Sequence, residues 1–454
     1  MSLQAGSSSY FLFAAAVFLL YWMAAASRLA RLAVILLANY FFCARFGLIY
    51  LWLIPACSTA DYLLGLGLMR WRHAAVRRAL VLLSVAINLS LLLGSRHAAS
   101  AWGWTLPLGL SFYTFQALTY TLDLYRRDAE GTSSLLAYLS AVSFFPTLQA
   151  GPITRVAELV GQFAKQRPLT RTEGGRAFFL IALGLLKKAL LADYLADNLV
   201  NRVFDTPNLY SGAEALLAVY AYSLQLYFDF SGYTDIARGT AALLGIQLPI
   251  NFDRPYLAAN LTEFWRRWHL SFSNWLRDYL YFSLPGGRTK AMPYVNLVVT
   301  MLLGGLWHGL TGTFAVWGLL HGFGLAATRF YQARRGRHRA PVPAWRRGAA
   351  ILATYHFVCL TWIFFRAGSL ANAGQILSRI ASLTPGLENV TPLFGGILLL
   401  GAAAMLVRKS WYTRAMEGFA NSPFLVHGAA LALVAAALQL LGGQGSAPFV
   451  YSRF

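Results

Sequence analysis

Apolar runs of near-membrane length, separated by short gaps that hold most of the basic residues, leave this chain few ways to fold. The runs cover residues 10–26, 32–69, 79–94, 106–125, 178–191, 216–230, 295–306, 313–327, 349–365, 394–407 and 425–441. The second is long enough for a hairpin of two short spans of about 17–20 residues, broken near Arg45 and Gly47. A free-standing span needs about 20 apolar residues, and several runs fall short of that. Short, tilted or re-entrant helices sheltered inside a bundle accommodate them, because protein then shields their backbone polar groups from lipid. The pattern predicts an all-α polytopic membrane protein with about eleven membrane helices. Neither an internal repeat nor a low-complexity linker interrupts it, so residues 1–441 read as one helical domain followed by a tail over 442–454.

Composition excludes the main alternatives. The 454 residues are 57% hydrophobic and 12% charged, against roughly 45–50% and about 25% in a typical soluble protein. Too few charged side chains remain to cover several water-facing domains, and disorder, a fibrous repeat or a disulfide scaffold is equally excluded. Lys and Arg number 38 against 17 Asp and Glu, a net charge of +21. In a soluble chain that excess would point to nucleic acid. Here the basic residues fall in short gaps between apolar runs, where they retain loops on the cytoplasmic face and meet anionic lipid. No nucleic-acid partner is expected. Cys43, Cys57 and Cys359 lie in apolar stretches without CxxC spacing and read as packing residues, with no metal site.

Charge also orients the chain. The residues before run 10–26 include no cation, and Arg28 and Arg31 follow it. That reads as a first membrane helix with its N-terminus outside rather than as a cleavable signal. The most basic segment holds Arg329, Arg334, Arg335, Arg337, Arg339, Arg346 and Arg347 and is expected in the cytoplasm. Run 313–327 then descends from the outer side and run 295–306 rises towards it. Between them Trp307-His308-Gly309-Leu310-Thr311-Gly312 forms a tight connection in or near the outer half of the membrane. Counting on from the same loop leaves the tail outside.

Walker A, HExxH, GxSxG and strand-linked GxGxxG motifs are absent. Polar residues in apolar context stand out instead, since they are costly in membranes and often functional. His308 comes first: its apolar and glycine neighbours favour a neutral ring able to accept a proton, while Gly305, Gly309 and Gly312 allow close approach. A hydrogen-bonded packing histidine is the structural alternative. His321 follows 13 residues later, about 20 Å along an unbroken helix, and is expected to be structural. His269 ends the stretch Glu263-Phe264-Trp265-Arg266-Arg267-Trp268-His269, whose rings suit an interface and whose arginines suit phosphates. An interfacial amphipathic helix explains that stretch equally well. Asp229 and Asp235 sit near a span end, as a proton relay or a structural hydrogen-bond network.

Taken together these residues resemble a known family. Leu224-Gln225-Leu226-Tyr227-Phe228-Asp229-Phe230-Ser231-Gly232-Tyr233-Thr234-Asp235, Asn251-Phe252-Asp253-Arg254-Pro255-Tyr256, the stretch ending at His269, and Trp275-Leu276-Arg277-Asp278-Tyr279-Leu280-Tyr281 all carry the resemblance. So do Ser111-Phe112-Tyr113-Thr114-Phe115, Phe145-Pro146 with Ala150-Gly151-Pro152-Ile153, Gly305-Leu306-Trp307-His308-Gly309 and Trp362-Ile363-Phe364-Phe365-Arg366-Ala367. The chain is similar over nearly its whole length to the membrane-bound O-acyltransferase family, in its bacterial alginate O-acetylation branch. The resemblance implies a ring of helices around a central tunnel, His308 as the catalytic histidine and His269 at a second active-site position. The ending Phe449-Val450-Tyr451-Ser452-Arg453-Phe454 resembles the F-x-Y-x-x-F ending of that branch, although an interfacial aromatic anchor would read the same.

The resulting expectation is a multi-pass acyltransferase of the inner (cytoplasmic) membrane. It takes an acyl group, most simply acetyl, from a cytoplasmic thioester such as acetyl-CoA or an acyl carrier protein, and holds no bound cofactor. The group goes to O-acylation of an extracytoplasmic polysaccharide or cell-wall glycan, through an extracytoplasmic acetyltransferase partner. His308 acts as general base and His269 positions the donor; Trp268 and Trp307 wall the tunnel. Arg266 and Arg267, with Asn274 and Asp278 nearby, face the donor, and Tyr451 relays the acyl group. D-alanyl transfer to a teichoic-acid-like polymer is the alternative within the class. A proton-coupled transporter or flippase using Asp229, Asp235 and His308 is the alternative outside it, and it would call for repeated halves that the sequence lacks.

Overall fold

The computed structural model describes residues 7–102, 109–148, 151–165, 168–286, 289–334 and 343–441. Among them there is no strand, as the apolar periodicity predicts. The chain separates into two compact units, one drawn from Met1–Leu185, Tyr233–Pro249 and Ala415–Ala432, the other from Leu186–Gly232, Ile250–Arg414 and Leu433–Phe454.

The first unit is built on α1 (Ser8–Met23), α2 (Arg28–Ala44), α3 (Tyr50–Arg70), α4 (Ala74–Trp102), α5 (Leu110–Arg126), α6 (Leu135–Val142), α7 (Phe145–Leu148), α8 (Val156–Ala164) and α9 (Arg171–Leu186). Capping chemistry sets the first boundaries: Ser7 Oγ accepts from Tyr10 N and Ser27 Oγ from Ala30 N. The break expected near Gly47 separates α2 from α3, and Gly47 has φ +152°, a conformation L side chains rarely adopt. Polar groups inside this unit answer one another. Asn39 donates to Ser140 O (3.0 Å) and accepts from Phe145 N (2.9 Å). Asp61 accepts from Ser84 Oγ (2.6 Å) and Asn88 Nδ2 (2.7 Å), so a buried carboxylate is met by neutral donors. Asp235 lies 3.8 Å from Arg238 in the same unit.

The second unit holds α10 (Asn201–Asp205), most of α11 (Gly212–Leu243), α12 (Leu261–Trp265), α13 (Leu270–Trp275), α14 (Met292–His308), α15 (Gly312–Arg334), α16 (Ala344–Arg366), α17 (Leu370–Ala381), α18 (Pro392–Leu406) and much of α19 (Lys409–Ala420) and α20 (Phe424–Leu441). Wide π-type turns occupy Lys187–Asp193 and Ala196–Val200. A capping box opens α11: Ser211 Oγ accepts from Glu214 N and Glu214 Oε2 from Ser211 N, both at 3.0 Å. Glycines let α14 and α15 pack backbone against backbone. A Cβ at Gly318 would stand 2.5 Å from Met301 O, and one at Gly305 would collide with Phe314 O.

Among the described residues, three helices are long and apolar enough to cross a membrane by themselves, at Tyr50–Arg70, Ala74–Ala99 and Ala344–Arg366. A fourth span would be the pair α18–α19, bent by 96°. The other expected spans sit on helices that are shorter or carry buried polar groups. On α11, Asp229 is met at 2.7 Å by the buried Lys188, which also pairs with Asp193 at 2.7 Å. Asp229 therefore belongs to an ion-pair cluster with Lys188 and Asp193.

Candidate active site

His308 ends α14, and the chain reverses at once through Gly309–Thr311 into α15. The side chain is 4% exposed. Its ring is packed by Trp307 (centroids 4.6 Å apart), Phe365 (4.9 Å), Trp317 (5.5 Å), Phe272 (5.8 Å) and Phe314 (5.9 Å). On its open side His308 borders a cavity of about 390 Å³. Gln225, Thr311, Thr313 and Arg366 supply the cavity's other polar groups, and Phe314 and Phe365 its aromatic walls. That volume suits a small organic group, since ligand pockets run from about 300 to 1,000 Å³.

His269 reaches the same neighbourhood from a different part of the chain. It stands between α12 and α13 with φ +43°, the left-handed region that β-carbon-bearing residues avoid. Asn251 pins it there, accepting from Leu270 N on its carbonyl (2.9 Å) and from Ser271 N on its side-chain oxygen (3.1 Å). A costly backbone conformation that the surroundings enforce is a mark of functional sites. The His269 ring lies 5.0 Å from Phe272 and 4.6 Å from Phe230. Phe272 thus touches both imidazoles, which brings together the two histidines singled out from sequence.

His321 is only one ring away, because the chain turns back after His308. Trp317 lies 5.5 Å from His308 and 4.9 Å from His321. The 13-residue separation suggested a distant residue, but it was measured along a helix that in fact breaks. Chemistry distinguishes the two instead. Trp265 Nε1, a donor only, meets His321 Nδ1 at 3.3 Å, while Nε2 lies 2.9 Å from Thr361 Oγ1. The Thr361 hydroxyl already donates to Val358 O at 2.7 Å, so it accepts from Nε2–H. Both nitrogens are engaged and the tautomer is set, which is a structural histidine.

The remaining sequence candidates spread out. Trp307 stacks on Phe272 at 4.8 Å beside His308. Trp268 is buried and packs on Trp362 at 5.1 Å, which in turn contacts Phe365 at 5.2 Å; it supports the site from behind. Arg267 is held by Glu263 at 2.5 Å, and Asp278 by Arg277 at 2.8 Å. Arg266 and Asn274 are exposed. Tyr451 and the rest of 442–454 lie outside the described residues. Sequence reasoning did not select Gln225, Arg366 or the Thr311–Thr313 pair as site residues. Only their places within the family-like segments signalled the first two, and lining the cavity beside His308 is what distinguishes all four. Arg366 lies 3.1 Å from Asn201 and 3.6 Å from Asp205, and its guanidinium sits 5.5 Å over the Phe204 ring.

With this geometry, a buried imidazole beside a cavity can take a proton from a bound hydroxyl, and the aromatic walls exclude water that would compete for an activated acyl group. The sequence is similar to those of known proteins. Residues 92–372 match the membrane-bound O-acyltransferase (MBOAT) family. The chain is 36% identical over 426 residues to the "Probable alginate O-acetylase AlgI" of Pseudomonas aeruginosa, covering 86% of this chain and 80% of that protein. It is 34% identical over 393 residues to the peptidoglycan O-acetyltransferase of Helicobacter pylori, covering 77% and 73%. With the teichoic acid D-alanyltransferase of Bacillus subtilis it shares 30% identity over 273 residues, covering 57% and 68%.

Proposed function

This chain belongs to the membrane-bound O-acyltransferase family, and from that premise we propose that it is a membrane acetyltransferase serving O-acylation of an extracytoplasmic polysaccharide or cell-wall glycan. The observation that carries the reading is the placement of His308, buried at the break between α14 and α15, on a cavity of about 390 Å³. Acetyl is preferred over D-alanyl because the acetyl-transferring relatives match more of the chain, 86% and 77% against 57%.

The donor is a cytoplasmic thioester, acetyl-CoA or an acyl carrier protein. His308 takes the proton of the acceptor hydroxyl as its oxygen attacks the thioester carbonyl carbon. The C–O bond forms, the C–S bond breaks, and the leaving thiolate recovers the proton from the imidazolium. His269, held by Asn251 beside Phe272, orients the reacting groups. The basic loop that carries Arg329, Arg334 and Arg347 fits the cytoplasmic face of the inner membrane. The His308 cavity lies at the opposite end of α15 and α16, bordered by Thr313 and Arg366. On that topology it opens towards the acceptor side, where an extracytoplasmic partner would receive the acyl group.

Mass spectrometry of cell-surface glycans with and without the protein tests this reading. A mass loss equal to an acetyl group per modified unit is expected on deletion. A D-alanyl difference would transfer the chain to the alternative donor, and no difference would remove the glycan from the proposal.

A further inference from the structure

Helix α16 is long and apolar enough to cross a membrane, and His356 stands thirteenth of its 23 residues, at mid-span. Its side chain points outward. Ala349, Leu352, Ala353, His356 and Leu360 recur at helical spacing and are all exposed, so they make one outward face of α16. Titratable side chains within a membrane almost always turn to the bundle interior or to a water-filled cavity, because lipid offers them no partner. His356 does the opposite. Its Nδ1 meets Leu352 O at 2.7 Å; a carbonyl only accepts, so Nδ1 carries the proton and Nε2 of the neutral ring is left as an acceptor. Beside it, Tyr220 of α11 meets the His356 ring edge-on at 5.6 Å and stacks on Tyr355 at 6.0 Å. Among the described residues neither the Tyr220 hydroxyl nor His356 Nε2 has a hydrogen-bond partner.

A face that carries both a donor and an acceptor is complementary to a copy of itself. Two copies inserted the same way in one membrane are related by a twofold axis along the membrane normal, and rotation about that axis leaves every atom at its depth. Donor and acceptor can then meet across the axis only if they lie at one depth, which the 5.6 Å contact between the two rings provides. We propose that this chain forms a twofold homodimer in the membrane through the outward face of α16. Tyr220 donates its hydroxyl hydrogen to Nε2 of the partner's His356, and the partner's Tyr220 returns the bond to His356. Leu352 and Leu360 supply apolar contact on either side, while Ala349 and Ala353, four residues apart, let the helices approach closely. A lipid acyl chain has neither a donor nor an acceptor and leaves both groups unanswered. Another protein's helix would have to bring a matching pair at the same depth, whereas a second copy does so by symmetry.

Two dye-labelled pools of the full chain, reconstituted in vesicles of phosphatidylethanolamine and phosphatidylglycerol, report pairing by energy transfer as the protein-to-lipid ratio is lowered. Wild type should pair. His356→Leu and Tyr220→Phe each remove both reciprocal bonds, and either should weaken pairing roughly tenfold. Mixing the two variants is the decisive arm. A His356→Leu copy keeps the donor and a Tyr220→Phe copy keeps the acceptor, so their heterodimer regains one bond and should form more tightly than either variant with itself. Mere damage to the fold would not be rescued by a second damaged chain. A mixture no tighter than the single variants, or pairing indifferent to both substitutions, would overturn the reciprocal contact. A monomer at every density would leave the face to lipid or to another protein's helix and overturn the dimer. The thermal midpoint of Tyr220→Phe, read at a density where wild type is monomeric, should match wild type; a marked fall would give the hydroxyl a partner within its own chain and overturn the proposal.

Discussion

His308 and His321 are both buried, both on the α14–α15 hairpin, and both in contact with Trp317. They differ in what surrounds their nitrogens. His321 is enclosed by Trp265 and Thr361, one group for each nitrogen, whereas His308 sits at the helix break and borders a cavity. Burial therefore does not by itself mark a catalytic imidazole; access to a space where substrate can stand does. The same contrast separates Asp61, satisfied by Ser84 and Asn88, from Gln225, which borders the cavity and whose Oε1 has no hydrogen-bond partner among the described residues. Polar groups in an apolar bundle are costly wherever they occur, and the arrangement of their partners tells structural ones from those kept for a ligand.

Mutations at the paired histidines would break or sharpen this contrast. His308→Ala should lower acyl transfer by about 10²–10⁴-fold, the range typical of a lost general base, with protein level and thermal midpoint preserved. Near-wild-type transfer by the purified variant would end the assignment. His269→Ala should cost less, roughly tenfold or more, because the residue is assigned to orientation rather than proton transfer; its pH–rate profile should keep the wild-type shape, and a lost pH limb would make His269 the base instead. His321→Ala should act on stability, since it leaves the Trp265 indole N–H buried without its acceptor, at about 1–2 kcal/mol. Transfer per folded molecule should change little. If His321→Ala instead proves the worst of the three in transfer at an unchanged thermal midpoint, the contrast is inverted. Thr361→Val is the smallest step, removing one partner of Nε2 for about 0.5–1.5 kcal/mol, readable as a lower thermal midpoint with unchanged kcat.

Much of this was legible in the residues themselves. The hairpin break near Gly47, the helices around residues 295–306 and 313–327, and His308 at their junction follow from apolar runs interrupted by glycine and polar residues. The length of α11 was not legible: a span expected over 216–230 lies in a 32-residue helix. Charges on its later turns read as a span end, yet Lys188 accommodates Asp229 within the helix. Lys188 sits more than 40 positions earlier in the chain, in a π-type segment that has no local sequence signature. Distance along an unbroken helix is not what makes His321 structural, since the helix breaks after His308; its engagement by Trp265 and Thr361 is the physical reason.

The sequence by itself determined which segments must leave water, how the basic loops bias their orientation, and which rare polar residues would carry a penalty for going with them. Those are properties of transfer free energy and charge, summed over short windows, and neighbouring residues suffice to set them. Only the tertiary structure decided which penalties are repaid by protein and which wait for a ligand. Trp265 and Thr361 reach His321, and Lys188 reaches Asp229, from distant positions in the chain. Hydrogen bonds are short and directional, so whether a buried polar atom has a partner depends on what the fold brings within about 3 Å of it, and a chain read in order carries no such distance.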